Sequence, residues 1–248
     1  MANFYDDLSR YYHLIYRDWE SSIEEQAAAL DRLIRQETNR SAHRLLDVSC
    51  GIGTQSLGLA RCGYEVTASD LSADSIERAK REAEARQLSI SFCVADMQAA
   101  FERHGPGYDV VLSCDNSVPH LLSDAEIQVA FEQFYRCTRP GGLCLISVRD
   151  YAAMDLGGTQ VKPYGIRVEG DVRYILFQVW DFEGDHYDLT MYIVEDHGSS
   201  QCCTHALRSR YYTVSIERLM ELLRRAGFED VRRIDDQFFQ PVIVGVSP

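Results

Sequence analysis

The stretch LLDVSCGIGTQS, residues 45–56, decides how the rest of the chain reads. An apolar run leads into two glycines and then into a helical pattern: strand, sharp turn, helix. Gly51 and Gly53 let the backbone turn tightly and approach a ligand without Cβ clashes. A bare G-x-G also suits an ordinary strand-to-helix connection. The third glycine of the dinucleotide fingerprint G-x-G-x-x-G is missing, since Ser56 stands in its place. Asp47 lies just upstream, where it disfavours a pyrophosphate and favours a cation. The ligand that suits this loop is positively charged and lacks phosphate.

Working outward, apolar runs alternate with helical patterns. Strands are expected over 44–49, 64–70, 89–96, 108–115 and 142–150, with helices over 19–36, 54–62, 72–87 and 124–140, the last ended by Pro140 and two glycines. Such alternation predicts an α/β, doubly wound, Rossmann-like and mostly parallel sheet with helices on both faces. Ligands then sit outside the carboxyl ends of the strands. After Asp150 the pattern changes. Residues 166–212 hold strand-like runs with turns at Gly170-Asp171 and Gly184-Asp185, an antiparallel insertion after the fifth strand. A helix over 215–228 and a closing hairpin complete the chain. The expected organisation is an amino-terminal helical lid (1–40), a ligand-binding core (41–150 and 213–248) and an antiparallel cap (151–212).

Bulk properties limit the partners. The chain has 248 residues and a formal net charge of −13, which repels nucleic acid and anionic membranes alike. The start MANFYDDLSRYY lacks the basic and apolar parts of a signal peptide. Eight scattered cysteines without a CxxC pair read as reduced, buried thiols of a cytoplasmic protein, with no metal site expected.

Further acids end successive strands. Asp70 is placed to accept hydrogen bonds from ribose hydroxyls, and Asp96 from an adenine amino group with Met97 packed on the ring. Asp115 ends the fourth strand. Any one of these acids also suits a helix cap. Four at one edge of a sheet, with Asp47, outline a cup for a cationic adenosine compound.

In this setting DVSCGIGT, SDLS (69–72), VADM (94–97) and RPGG (139–142) resemble, in order and spacing, the motifs of class I S-adenosylmethionine methyltransferases. One departure is Ser49, where that family usually has Gly or Ala. A narrower similarity, to glycine and sarcosine N-methyltransferases, rests on CGIGTQ (50–55), CDNSVPHLL (114–122), SVRDY (147–151) and the amino-terminal DLSRYYHLIYRDWESSIEEQ (7–26). The resemblance implies S-adenosylmethionine as cofactor and the amine of a small amino acid as acceptor. The implied cofactor contacts are Asp47, Ser49, Gly51, Gly53, Thr54, Gln55, Asp70, Leu71, Ala95, Asp96, Met97, Cys114, Asp115 and His120. Asn116 and Arg149 are implied to bind substrate, and Tyr12 and Tyr16, with Tyr5, to close over the site. Tyr151, Tyr174, Arg208 and Arg210 are added as substrate contacts. A guanidinium at the end of the fifth strand suits a carboxylate. It also suits a structural pairing with Asp150 or Asp115. His120 and His13 are candidate proton acceptors or plain packing residues. The insertion's aromatics, Tyr211 and Trp180 among them, cap the site or pack the sheet.

Methyl transfer from a sulfonium needs a neutral, aligned amine and no acid, so no triad is expected. Three other readings stay open: methylation of a larger amine, phenol or sugar; a NAD-dependent oxidoreductase; and a non-catalytic cofactor-binding protein.

Overall fold

The computed structural model describes residues 2–38 and 42–248, so the lid boundary expected between residues 40 and 41 lies outside the described residues. Helix α1 (Ala2–Leu8) and α2 (Trp19–Glu37) open the chain, joined by a 3-10 turn at Tyr12–Ile15. Asp18 caps α2 by accepting from the Ser21 N–H, and Ile23, Leu30, Leu33 and Ile34 form its buried stripe. Then β1 (Arg44–Asp47), α3 (Thr54–Arg61), β2 (Glu65–Asp70), α4 (Ala73–Ala85) and β3 (Ser91–Val94) follow. Next come α5 (Ala100–His104), β4 (Tyr108–Ser113), α6 (Asp124–Cys137) and β5 (Thr138–Ser147). Strands β6 (Thr159–Glu169), β7 (Val172–Glu183), β8 (His186–Asp196) and β9 (Cys203–Tyr212) precede α7 (Ile216–Arg225), β10 (Glu229–Ile234) and β11 (Val242–Val246).

Seven strands make the main sheet in the order β10-β11-β5-β4-β1-β2-β3. The five from β5 to β3 are parallel; in the closing hairpin β11 runs antiparallel to β5, and β10, antiparallel to β11, runs parallel to the five again. The order reverses between β1 and β4, which opens a crevice at their carboxyl ends. Alternation along the strands feeds two cores. Leu46, Val111 and Ile146 pack under α6 and α7 against Phe131, Phe134 and Leu223. Leu45, Val110 and Leu145 pack on the other face with Leu30 and Leu33 of α2. Truncating Phe131 or Phe134, both fully buried, is expected to cost about 3–5 kcal/mol each.

Strands β6–β9 form a separate antiparallel sheet. Its inner face, with Leu176, Trp180, Tyr187, Leu189, Met191 and Ile193, is covered by Phe4, Leu8, Tyr11 and Leu14. The amino-terminal segment therefore lies between the two sheets.

Several expectations need correction. The helix expected to run to Pro140 stops at Cys137, and Arg139-Pro140-Gly141-Gly142 enters β5 instead. Proline fits there because it lies before β5 settles into its register with β11, which starts at Leu143. Strand β3 is shorter than 89–96, because the Asp96 side chain turns back to accept from the Gln98 N–H. The first strand of the insertion begins at Thr159 rather than 166; Pro163 masked that strand, and the pairing shifts between Pro163 and Gly165. The helix α5 had not been expected. Cysteines 50, 114, 137 and 144 are buried, whereas 62, 202 and 203 are exposed, because they lie at the end of α3 and at the outer start of β9. No helix among the described residues is long and apolar enough to cross a membrane.

Candidate functional site

The carboxyl ends of the parallel strands face two adjoining cavities. The smaller, about 190 Å³, is lined by Ser49, Gly51, Asp70, Leu71, Ala95, Asp96, Met97 and His120, among others. The larger, about 770 Å³, is bounded by Asp115, Arg149, Tyr164, Gln178, Tyr211 and Gln240 together with residues of α1 and α2. Tyr5 and Tyr12 line both and so form the partition.

Local backbone chemistry builds the smaller cavity. Gly51 has φ +52°, and a Cβ there would stand 3.0 Å from the Tyr12 ring. Glycine at this position lets the Tyr12 ring pack on the loop. Asp70 accepts from the Gly51 N–H at 2.8 Å and from the Ser72 N–H at 2.9 Å, tying the loop after β1 to the start of α4. Burial raises its carboxyl above the ordinary carboxylate range, and these backbone N–H groups oppose the shift. Asp96 spends one oxygen on Gln98 and faces the cavity with Met97 beside it. Asp6 of α1 accepts from the Ser72 hydroxyl at 2.6 Å, which pins α1 beside Asp70.

Not every sequence candidate reaches a cavity. Asp47 is buried beneath the loop, where its oxygens accept from the Ser56 hydroxyl at 2.7 Å and the Ser49 N–H at 3.2 Å. Burial pushes its carboxyl up to about 7. It anchors the turn from below. Gly53 caps α3 with φ +96°, Thr54 accepts from the Trp19 indole N–H at 2.9 Å, and Gln55 donates to Gln26 at 2.7 Å. Thr54 and Gln55 hold α2 and α3 together behind the site. Cys114 is buried at the end of β4 and lines neither cavity.

Asp115 and Asn116 adopt φ +57° and +63°, a sharp turn off β4 that sends their side chains different ways. Asn116 is buried; its Oδ1 accepts from the Arg149 N–H at 3.0 Å and its Nδ2 donates to the Tyr151 hydroxyl at 2.8 Å. Tyr151 is buried in turn against Tyr187. Neither lines the cavity, so both support Arg149 from behind. Asp150 pairs with Arg233 at 2.7 Å. Arg149 itself donates to the Tyr187 hydroxyl at 3.3 Å and lies 5.1 Å over the Trp180 ring. Among the described residues no carboxylate stands within the 4.0 Å of an ion pair with it.

His120 is buried, held by the Tyr5 hydroxyl at 2.6 Å, with its ring centroid 3.9 Å from that of Tyr211 at a tilt of 39°. Burial, with the Arg149 charge, lowers its imidazole to about 3, so it is neutral. Burial also raises the phenols of Tyr5, Tyr12 and Tyr16 far above their ordinary range. His13 pairs with Glu169 at 2.7 Å outside both cavities.

The three insertion candidates miss. In β9, Ser209 and Tyr211 face inward, so Arg208 and Arg210 face out. Arg208 is exposed, and Arg210 pairs with Asp188 at 3.1 Å and Glu183 at 3.3 Å. Tyr174 is on the inner face but packs on Tyr11, whose hydroxyl bonds Glu195 and His205. The cavity uses Tyr164, Gln178, Tyr211 and Gln240 instead. Only Tyr211 carried a sequence signal, as one of the insertion's aromatics.

Comparison with known proteins agrees with this layout. A family model described as a methyltransferase domain matches residues 45–142. A provisionally named methyltransferase of Geobacillus sp. is 28% identical over 86% of this chain and 82% of its own length. The glycine N-methyltransferase of Rattus norvegicus is 31% identical over 58% of this chain, and the chain spans only 52% of that relative's length. Among solved structures, the S-adenosylmethionine-bound amino pentose methyltransferase of Micromonospora echinaspora superimposes with a TM-score of 0.81 at 18% identity, covering 96% of this chain and 95% of its own. A sugar N-methyltransferase of Streptoalloteichus sp. gives a TM-score of 0.79 at 21% identity, covering 95% and 92%.

Proposed function

We propose that the chain is a class I S-adenosylmethionine-dependent methyltransferase and that it methylates the amine of a small carboxylate-bearing acceptor of the glycine or sarcosine type. The observation that carries this reading is Arg149, a guanidinium facing a cavity of about 770 Å³ without a carboxylate partner among the described residues. A carboxylate entering that cavity supplies the missing charge.

The residues of the smaller cavity fit the cofactor. Asp70 would take the ribose hydroxyls, Asp96 the adenine amino group, and Met97 and Leu71 the ring faces. S-adenosylmethionine, when bound, supplies a methyl group on a sulfonium, with the leaving group already good. The protein's work is then alignment and exclusion of water, which supply roughly 7–11 kcal/mol in favourable cases. In this reading Arg149 fixes the acceptor through its carboxylate, and Asn116 and Tyr151 fix Arg149. The neutral phenols of Tyr12 and Tyr16 close the cavity as the lid of residues 1–40. The insertion of residues 151–212 caps the acceptor side through Tyr164, Gln178 and Tyr211.

A second reading, an amino sugar as acceptor, is favoured by the size of the larger cavity, which exceeds what glycine fills. Purified protein with S-adenosylmethionine and a panel of glycine, sarcosine and an amino pentose separates the two. The expected products are methylated glycine or sarcosine. Arg149→Ala should then raise the Michaelis constant for that acceptor about 10–100-fold and leave the cofactor dissociation constant unchanged. Turnover of the amino pentose alone, with the Arg149 variant unimpaired, overturns the carboxylate reading.

A further inference from the structure

We propose that Asp115 is a catalytic residue that takes the proton from the acceptor's ammonium group before methyl transfer; this rests on the amine-methylation reading above. A primary or secondary amine is mostly protonated at neutral pH and then has no lone pair to give. Something in the cavity must hold the ammonium and remove its proton.

Asp115 is built for that place. Its carboxylate lines the larger cavity at the end of β4. The turn that holds it is pinned, because the Asp115 N–H donates to the Ser147 hydroxyl at 2.8 Å and the Asn116 N–H to the Ser147 carbonyl at 3.0 Å. One carboxylate oxygen accepts from Gln240 at 3.2 Å. Among the described residues no lysine, arginine or histidine nitrogen comes within 4.0 Å of it. An ammonium group is the partner this half-buried carboxylate lacks.

The groups facing it come from four places: Tyr5, Tyr12 and Tyr16 of the amino-terminal segment, Arg149 after β5, Tyr164 of β6 and its own neighbour Cys114. Burial holds these phenols and the thiol in their neutral forms, so Arg149 is the charge that acts on Asp115, while Glu25 of α2 and Asp236 line the same cavity. Burial also lifts the Asp115 carboxyl above its ordinary range, with Arg149 opposing, which makes it a stronger base than a solvated aspartate. His120 is the rival, but it lines the smaller cavity and is occupied by Tyr5. Arg149 and Asp115 together then form a dipole across the cavity that matches an amino acid's carboxylate and ammonium.

The step balances. An N–H bond of the ammonium breaks, its electron pair stays on nitrogen, and the proton joins a carboxylate oxygen of Asp115. That pair forms the new N–C bond as the methyl C–S bond breaks, leaving its electrons on sulfur. Asp115 later returns the proton to water.

The test is a pH profile with whichever of glycine, sarcosine and the amino pentose the wild type turns over. Asp115→Asn replaces the carboxylate with an uncharged amide that tolerates positive φ, and Asp115→Gly relieves any strain there should the first variant fold poorly. Turnover by either should fall about 100-fold at pH 7 and recover about tenfold per pH unit toward the amine's own pKa. Asp115→Glu should restore the wild-type shape. An equal loss at every pH, or a matching loss of S-adenosylmethionine affinity by calorimetry, overturns the assignment to Asp115. If the wild type methylates none of the three acceptors, the amine reading itself falls.

Discussion

The parallel half of the molecule and the antiparallel sheet use strands in opposite ways to build one site. In the parallel half all five strands point the same way, so whatever follows each strand arrives at the same edge. Asp70, Asp96, Asp115 and Arg149 meet there although they are spread over 80 residues of chain. In the antiparallel sheet each residue faces opposite to its neighbour, and a shift of one decides between cavity and solvent. Tyr211 reaches the cavity and Arg210 does not. Position along a strand is therefore informative in the first region, while in the second the register must be known as well.

The largest expected effect tests the edge of the parallel half. Gly51→Val places a β-branched side chain at φ +52° and drives a Cβ to 3.0 Å from the Tyr12 ring. Strain of about 1–3 kcal/mol for each fault should weaken S-adenosylmethionine binding on the order of 100-fold. Calorimetry checks it. Affinity within about threefold of wild type means that the loop is not held against Tyr12 in the bound state.

The same contrast explains what could be read from the sequence. Asp70, Met97 and Arg149 were legible because strand ends and glycine turns leave local marks. The main-sheet alternation was legible for the same reason. Asp47 was misjudged: its position before the loop was right, but Ser56, nine residues later, folds back to take up its carboxylate. Asn116 was expected to touch substrate, yet its amide bridges Arg149 and Tyr151 through contacts 33 and 35 residues apart. Tyr164, Gln178 and Gln240 carried no local signal at all. They reach the cavity through pairings between distant strands, and Pro163 hid the strand that delivers Tyr164.

A middle-sized effect sits at the junction of the two regions. His120, on the β4 side, is wedged against Tyr211 of β9 and held neutral, with its imidazole lowered from 6.5 to about 3. Between those values the unfolded chain binds a proton that the native protein refuses. Stability from this residue is thus complete above pH 6.5 and lost as pH falls, by about 1.4 kcal/mol per pH unit at most. Asp47, raised from 3.8 to about 7, works against it: there the native state binds the extra proton, and stability falls as pH rises through that window. Denaturant titrations between pH 4 and 6.5 should show a shallower acid loss for His120→Gln than for wild type. Identical slopes would mean that the junction admits water and lets the imidazole charge.

The smallest effect belongs to the outer face of the antiparallel sheet. Arg208 is exposed, and Arg210 pairs with Asp188 and Glu183, both exposed themselves. Exposed ion pairs of this kind contribute about 0–1 kcal/mol, because two long side chains lose freedom for an attraction that water and salt screen. Arg208→Ala and Arg210→Ala should each leave the acceptor's Michaelis constant unchanged and shift stability by less than about 1 kcal/mol. The informative comparison is Tyr211→Ala, one residue from Arg210. It should disturb acceptor kinetics because that ring lines the larger cavity and packs against His120. A register shifted by one in solution would invert the pattern, with Arg210→Ala impaired and Tyr211→Ala silent, since a single-residue slip turns every side chain of β9 to the opposite face.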